Sequence, residues 1–227
     1  MKKGKLFWAA VAVGILIGVL SQGCGAKRVT TASSVGLGEA SLERIGVLPF
    51  FTGRHPTNLQ ETMNCSLCRL SFDPANVAPG ADSTLTRYVQ EALENRYEGL
   101  VISRVDVMQT YAAIPKDEDV DTPVSLGKKV GEILGADHMI LGTVWKYRER
   151  IGGPGGATRP ASVAFDVYLI DVPKARLLWT ASFDETQRSL FENVLDAKAF
   201  FSRGAKWLSV NELGKYGVKE VINQLPL

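Results

Sequence analysis

Histidine is nearly absent from this sequence, with two among 227 residues, and there are only three cysteines. A tetrahedral zinc site needs four such ligands, and the chain holds few that could supply them. A surplus of one charge sign is missing as well. The 26 basic and 24 acidic residues almost cancel, whereas an electrostatic nucleic-acid binder needs a basic excess. The glycine-rich stretch 152–156 (GGPGG) lacks the lysine and the Ser/Thr of a phosphate-binding loop. Its setting predicts a link between two strands, not between strand and helix. The sequence has no internal repeat and, beyond that stretch, no low-complexity tract. After residue 20 no apolar run reaches the ~20 residues that span a bilayer core.

One apolar run is present, at the start. Lys2, Lys3 and Lys5 precede 15 apolar or small residues, 6–20 (LFWAAVAVGILIGVL), and Ser21, Gln22, Gly23 and Cys24 follow. A basic head, an apolar core and a small residue before the cut describe a secretory signal. With Cys24 directly after Gly23, the segment resembles a bacterial lipoprotein signal. That resemblance implies cleavage of residues 1–23 and acylation of Cys24, which becomes the amino terminus and the membrane anchor. Gly25, where no aspartate stands, is similar to lipoproteins sent to the outer membrane. The alternative is an uncleaved anchor helix, and both readings attach an outward-facing domain to a membrane. Without residues 1–23, 23 basic residues face 24 acidic ones. About 200 residues remain, enough for one domain that buries ~70% of its unfolded surface.

Residues 24–43 are rich in Ala, Ser, Thr, Val and Gly without period, which predicts a flexible tether. Residues 44–227 read as one domain. The apolar run 45–51 fits a strand buried on both faces. Residues 53–81 form a long aperiodic loop. Leu85, Tyr88, Val89, Ala92 and Leu93 make a helical stripe, opened by Asp82 or Ser83. Residues 100–107 (LVISRVDV) predict a strand through their β-branched content. Thr122 and Pro123 open a second helix, which Gly135 ends. Residues 139–147 form a strand, and Gly142 leaves room for a close neighbour. Residues 152–160 are a flexible connection. Residues 163–170 and 176–183 predict an antiparallel hairpin. Capping-box spacings at Ser189/Glu192 and Ser209/Glu212 predict two terminal helices.

Cys65 and Cys68 (CSLC) are the one sharp chemical pattern. In an exported protein they predict a local disulfide that pins the loop. A metal pair aided by His55 and, remotely, His138 is the lesser alternative, short of four ligands. A thioredoxin-type redox pair would require a helix opening at Cys65. Asp117, Glu118, Asp119 and Asp121 lack the glycine and distal glutamate of a calcium loop and read as a solvated acidic loop. His138, with no serine or cysteine nucleophile nearby in the sequence, reads as a solvent-exposed loop or strand-end residue. Trp145, Trp179, Tyr147 and Tyr168 read as core and cross-strand pairs, with an aromatic partner surface as the alternative.

Several stretches together resemble a group of envelope proteins. These are 44–50 (RIGVLPF), the helix ending in 93–99, 134–137 (LGAD) with 139–144 (MILGTV), and Leu177-Leu178-Trp179. The group includes the amino-terminal domain of TolB, the lipoprotein activators of penicillin-binding proteins and the curli-secretion lipoprotein. The likeness covers about residues 44–187, and it implies a non-enzymatic lipoprotein that works through protein contacts.

The expected architecture is α/β. It has a mixed sheet of about five strands with βαβ passages, helices packed on the sheet and terminal helices appended. The expected function is a non-catalytic protein-binding or assembly module on the periplasmic face of the outer membrane. It is held there by acylated Cys24, binds no nucleic acid and uses no catalytic residue, metal or cofactor. Its partner is an envelope protein, and its oligomeric state is left open. The alternatives are a thiol-disulfide or metal-binding protein using Cys65 and Cys68, and an oligomeric secretion component.

Overall fold

The computed structural model describes residues 29–33, 42–52, 63–64, 67, 71–117, 120–187 and 206–227. Five strands make the main sheet: β1 (Val29–Ser33), β2 (Ile45–Val47), β5 (His138–Arg148), β8 (Ser162–Asp171) and β9 (Arg176–Thr186). Two short pairs stand outside it, β3 (Met63–Asn64) with β4 (Ser71–Phe72) and β6 (Ile151–Gly153) with β7 (Gly156–Arg159). The helices are α1 (Ala81–Arg96), α2 (Arg104–Ala113), α3 (Pro123–Leu134) and α4 (Val210–Ile222).

The sheet order is β1-β9-β8-β5-β2. β2 runs parallel to β5, and the other neighbours are antiparallel. The chain therefore crosses from β2 to β5 through α1, α2 and α3, and then builds β5, β8 and β9 as a meander. This is the mixed α/β sheet that the sequence predicts. Alternation along the central strands separates two cores. Ile140, Val163, Phe165, Val167 and Leu169 face α1 and α4, with Leu85, Val89, Leu93, Leu213 and Val221. Met139, Leu141, Tyr168 and Ile170 face α2 and α3, with Val107, Leu126 and Val130. Because both faces are covered, β8 is buried from Ser162 to Ile170, as a strand between two helical layers must be.

Close approach depends on small residues. A Cβ at Gly127 of α3 would fall 2.8 Å from Ile170 Cδ1, and one at Gly131 would fall 2.6 Å from Val172 Cγ2. Glycine at both positions lets α3 lie directly on the sheet. In the other core, Phe50, Phe165 and Phe183 stack in series with ring centroids 6.2 and 5.4 Å apart. Each such pair adds ~0.5–1.5 kcal/mol beyond area burial.

Several elements differ from the sequence reading. Residues 100–107 are not a strand. Val101 alone bridges Ile45 in parallel, and Ser103 then caps α2, its hydroxyl accepting from the Val105 N–H. The β-branched content misleads here. Val107 and Ile114 are buried seven residues apart with Tyr111 packed between them, a helical stripe that outweighs local β preference. Within the expected tether, Val29–Ser33 is a strand paired with β9, from Val29↔Phe183 to Ser33↔Trp179. Val29 packs against the first core while residues 30–33 are exposed. The helix expected from Ser189 lies outside the described residues. The helix from Ser209 is α4, and its capping box is complete: Ser209 Oγ accepts from the Glu212 N–H, and Glu212 accepts from the Ser209 N–H.

Candidate functional site

Cys24, Cys65, Cys68 and His55 lie outside the described residues, as do Glu118 and Asp119. The surroundings of the cysteine pair are described. Met63↔Phe72 and Asn64↔Ser71 pair antiparallel. Leu67, between the cysteines, packs against the second core. A strand begins at Ser71, where a thioredoxin-type helix opening at Cys65 would still be running. Among the described residues no three His, Cys, Asp or Glu side chains gather as a metal site.

The remaining sequence candidates have structural roles. Asp121 is buried, not solvated as the acidic-loop reading predicts. Its carboxylate accepts from the Asp117 N–H at 2.9 Å, Lys129 Nζ at 2.6 Å and Ser125 Oγ at 3.1 Å. The Asp117 N–H, with Lys129 second, holds its pKa down at about 2. Asp137 accepts from the N–H groups of Glu43 (3.1 Å) and Arg44 (2.5 Å) and lies 2.7 Å from Nδ1 of His138, which opens β5 buried and not solvent-exposed as the sequence predicts. Burial pushes this carboxyl up, but the two N–H groups and His138 outweigh it, leaving the pKa below the usual range. The Leu134–Asp137 pattern therefore ties the start of β2 to the start of β5. Trp179 and Tyr147 belong to the first core and Tyr168 to the second. These aromatics are divided between opposite faces, as core residues are. Residues 151–159 are an ordered hairpin in place of a flexible connection. Its tip is held where Trp207 N–H donates to Pro154 O at 2.9 Å.

Among the described residues a groove of about 600 Å³ lies between α1 and α4, within the usual range for binding clefts. Tyr88, Ala92, Tyr216, Val218 and Ile222 supply its apolar parts, and Glu91, Arg96, Lys215 and Lys219 its charged parts. Both helices turn their stripes inward onto the first core, so their adjoining flanks are left to form the groove. Arg87 Nη1 pairs with Glu91 at 2.7 Å, and Lys215 approaches Glu91 at 4.0 Å. Arg96 closes one end. Its guanidinium donates to Ile222 O and, at 2.8 Å, to Leu225 O. This places a cation on the carbonyl end of α4, where the helix dipole favours it. The groove combines an apolar floor with charges of both signs, which suits a polypeptide surface. Sequence reading found both helices but not the groove. The available signal was the pair of aromatics beside the buried stripes, Tyr88 and Tyr216.

No protein-family model matches this sequence, and no curated protein matches it. Solved structures similar to this chain include the PelC dodecamer from Paraburkholderia phytofirmans, at 12% identity over 86% of this chain and 96% of that one, TM-score 0.46. Lipoprotein GNA1162 from Neisseria meningitidis is similar at 14% identity over 72% and 98%, TM-score 0.41. The LpoB C-terminal domain from Salmonella enterica is similar at 14% over 65% and 86%, TM-score 0.36. The group of penicillin-binding-protein activator lipoproteins that the sequence resembles is represented among these neighbours by LpoB.

Proposed function

We propose that this protein is an outer-membrane lipoprotein, anchored by acylated Cys24, whose periplasmic α/β domain binds another protein of the cell envelope without catalysing a reaction. The observation that carries the binding role is the α1–α4 groove, with its apolar floor and mixed-sign rim. The anchor rests on the signal-like residues 1–23 and on Cys24. Cys65 and Cys68 form a disulfide across the turn between β3 and β4 and do no redox work. Cross-linking from a photoreactive residue at position 92 or 219 in intact cells tests the binding role. A discrete protein adduct that charge reversal at Lys215 and Lys219 weakens is the expected result. Adducts only with lipid, or none while residues elsewhere on the domain cross-link a partner, would move the binding surface off the groove.

A further inference from the structure

Strand β1 changes how far the domain can stand from its anchor. A free tether up to residue 43 would let the domain range over ~70 Å of chain. In the structure the chain joins the sheet at Val29, five residues after Cys24. Five residues span at most ~17 Å. Resting on the reading of Cys24 as the acylated residue, the domain is on a short leash, and β1 decides which end of it faces the lipid.

That end is identified by the register. Val29 pairs with Phe183, and Phe183 with Phe165. From this row, β9 ends three residues on at Thr186, opposite Ser162 and Arg148, roughly 10 Å along the strands. The β6–β7 hairpin leaves the sheet there, between Arg148 and Ser162. Its base spans β8 and β5, two and three strands from β1, about 10–14 Å sideways.

The chemistry of that end suits a lipid surface. Ile151 at the hairpin's start is 52% exposed, and Arg159 at its end is exposed. Trp207, half-buried, is tied to the hairpin tip through Pro154. Lys27 and Arg28 precede β1 in the sequence, and Lys206, exposed and paired with Glu212, neighbours Trp207. The acids at this end are engaged: Glu149 with the Val210 N–H, Asp184 with Lys146 and Glu212 with Lys206, while Glu185 is buried. An exposed apolar residue, a tryptophan and an exposed arginine at one end of the sheet form the pattern that settles at a headgroup layer.

We infer that the short leash from Cys24 to β1 seats the β6–β7 hairpin, with Ile151, Arg159 and Trp207, on the lipid surface that holds the anchor. The probe is the full lipidated protein in vesicles of phosphatidylethanolamine and phosphatidylglycerol, read by amide hydrogen exchange. Exchange of residues 151–159 slows about tenfold on vesicles relative to detergent, while α1 is unchanged. A flexible spacer of about 30 residues after Ala26 removes the slowing, and Arg159→Glu reduces it. Unchanged exchange of 151–159 on vesicles, or slowing that survives the spacer, overturns the inference. The mass of the amino-terminal peptide in the same sample separates this from loss of the anchor. An unacylated Cys24 removes the anchoring reading itself and the leash with it.

Discussion

The Phe50 ring fills the space in front of Gly142, where a Cβ would come within 2.2 Å of Phe50 Cζ. Phe50 is 3% exposed and packs edge-to-face with Phe165, so the ring cannot swing away. Gly142→Ala should destabilise the domain by ~1–3 kcal/mol, the usual cost of overpacking. Gly142 is not in the left-handed region, so the cost is steric. Urea unfolding checks it, and Phe50→Leu added to Gly142→Ala should recover part of the loss. Non-additivity of that kind marks a direct contact.

Much of the fold was legible in the sequence for the same reason that this contact was half legible. Gly142 in an apolar strand signals a close neighbour, but nothing local names Phe50, which is 92 positions away. The stripes of α1, α3 and α4 and the alternation of β8 were readable because one period dominates each segment. Residues 100–107 misled because β-branched preference and a helical stripe compete there, and tertiary burial of Val107 and Ile114 decided the outcome. Val29, Thr30 and Thr31 carried a strand signal, but a five-residue edge strand in a polar, small-residue stretch has no period to declare it. The α1–α4 groove was not legible, because it arises from two helices more than 100 residues apart in sequence.

Stability should fall in acid along a defined path. Folding holds Glu212 at about 2 against an ordinary 4.5, chiefly through Lys206 and the Ser209 N–H, and Asp121 at about 2 against 3.8. Asp137 is lowered as well. Depressed carboxyls contribute stability that is complete above the unfolded values and is lost as pH falls through the folded ones. Urea midpoints should therefore hold steady down to about pH 4.5 and decline toward about pH 2. Asp121→Asn with Glu212→Gln should flatten that decline. An undiminished slope would show that neither carboxylate governs it.

Asp166 should behave in the opposite way. It is 4% exposed in the sheet. Burial pushes its carboxyl up, against hydrogen bonds from Ser182 and Tyr168. A raised pKa means that the favourable protonated form is lost as pH rises through the folded value. Asp166→Asn, which keeps the shape and an acceptor for the Tyr168 hydroxyl, should raise the urea midpoint at neutral pH. The gain should vanish in acid.

Arg96 should matter more than its exposure suggests. It supplies the donors for Ile222 O and Leu225 O, and Tyr97 Oη donates to Leu227 O at 3.1 Å. Arg96→Ala should cost about 1–2 kcal/mol and speed amide exchange first in the last turn of α4, leaving α3 unchanged. A uniform change across the domain would contradict a local cap.

The β3–β4 hairpin frames the proposal for Cys65 and Cys68. Closing so short a loop contributes at most about 2 kcal/mol, so the Cys65→Ser, Cys68→Ser protein should fold and bind normally. Thiol titration of the unfolded, unreduced protein should find neither cysteine free. Two titratable thiols, or a thiol with strongly depressed pKa, would contradict the disulfide.

The account depends on what is attached to Cys24. Mass spectrometry of the amino-terminal peptide from membrane-purified protein should find a chain beginning at Cys24 and carrying diacylglycerol on sulfur and an acyl group on the amine. A chain still beginning at Met1, with an unmodified Cys24 thiol, would contradict it.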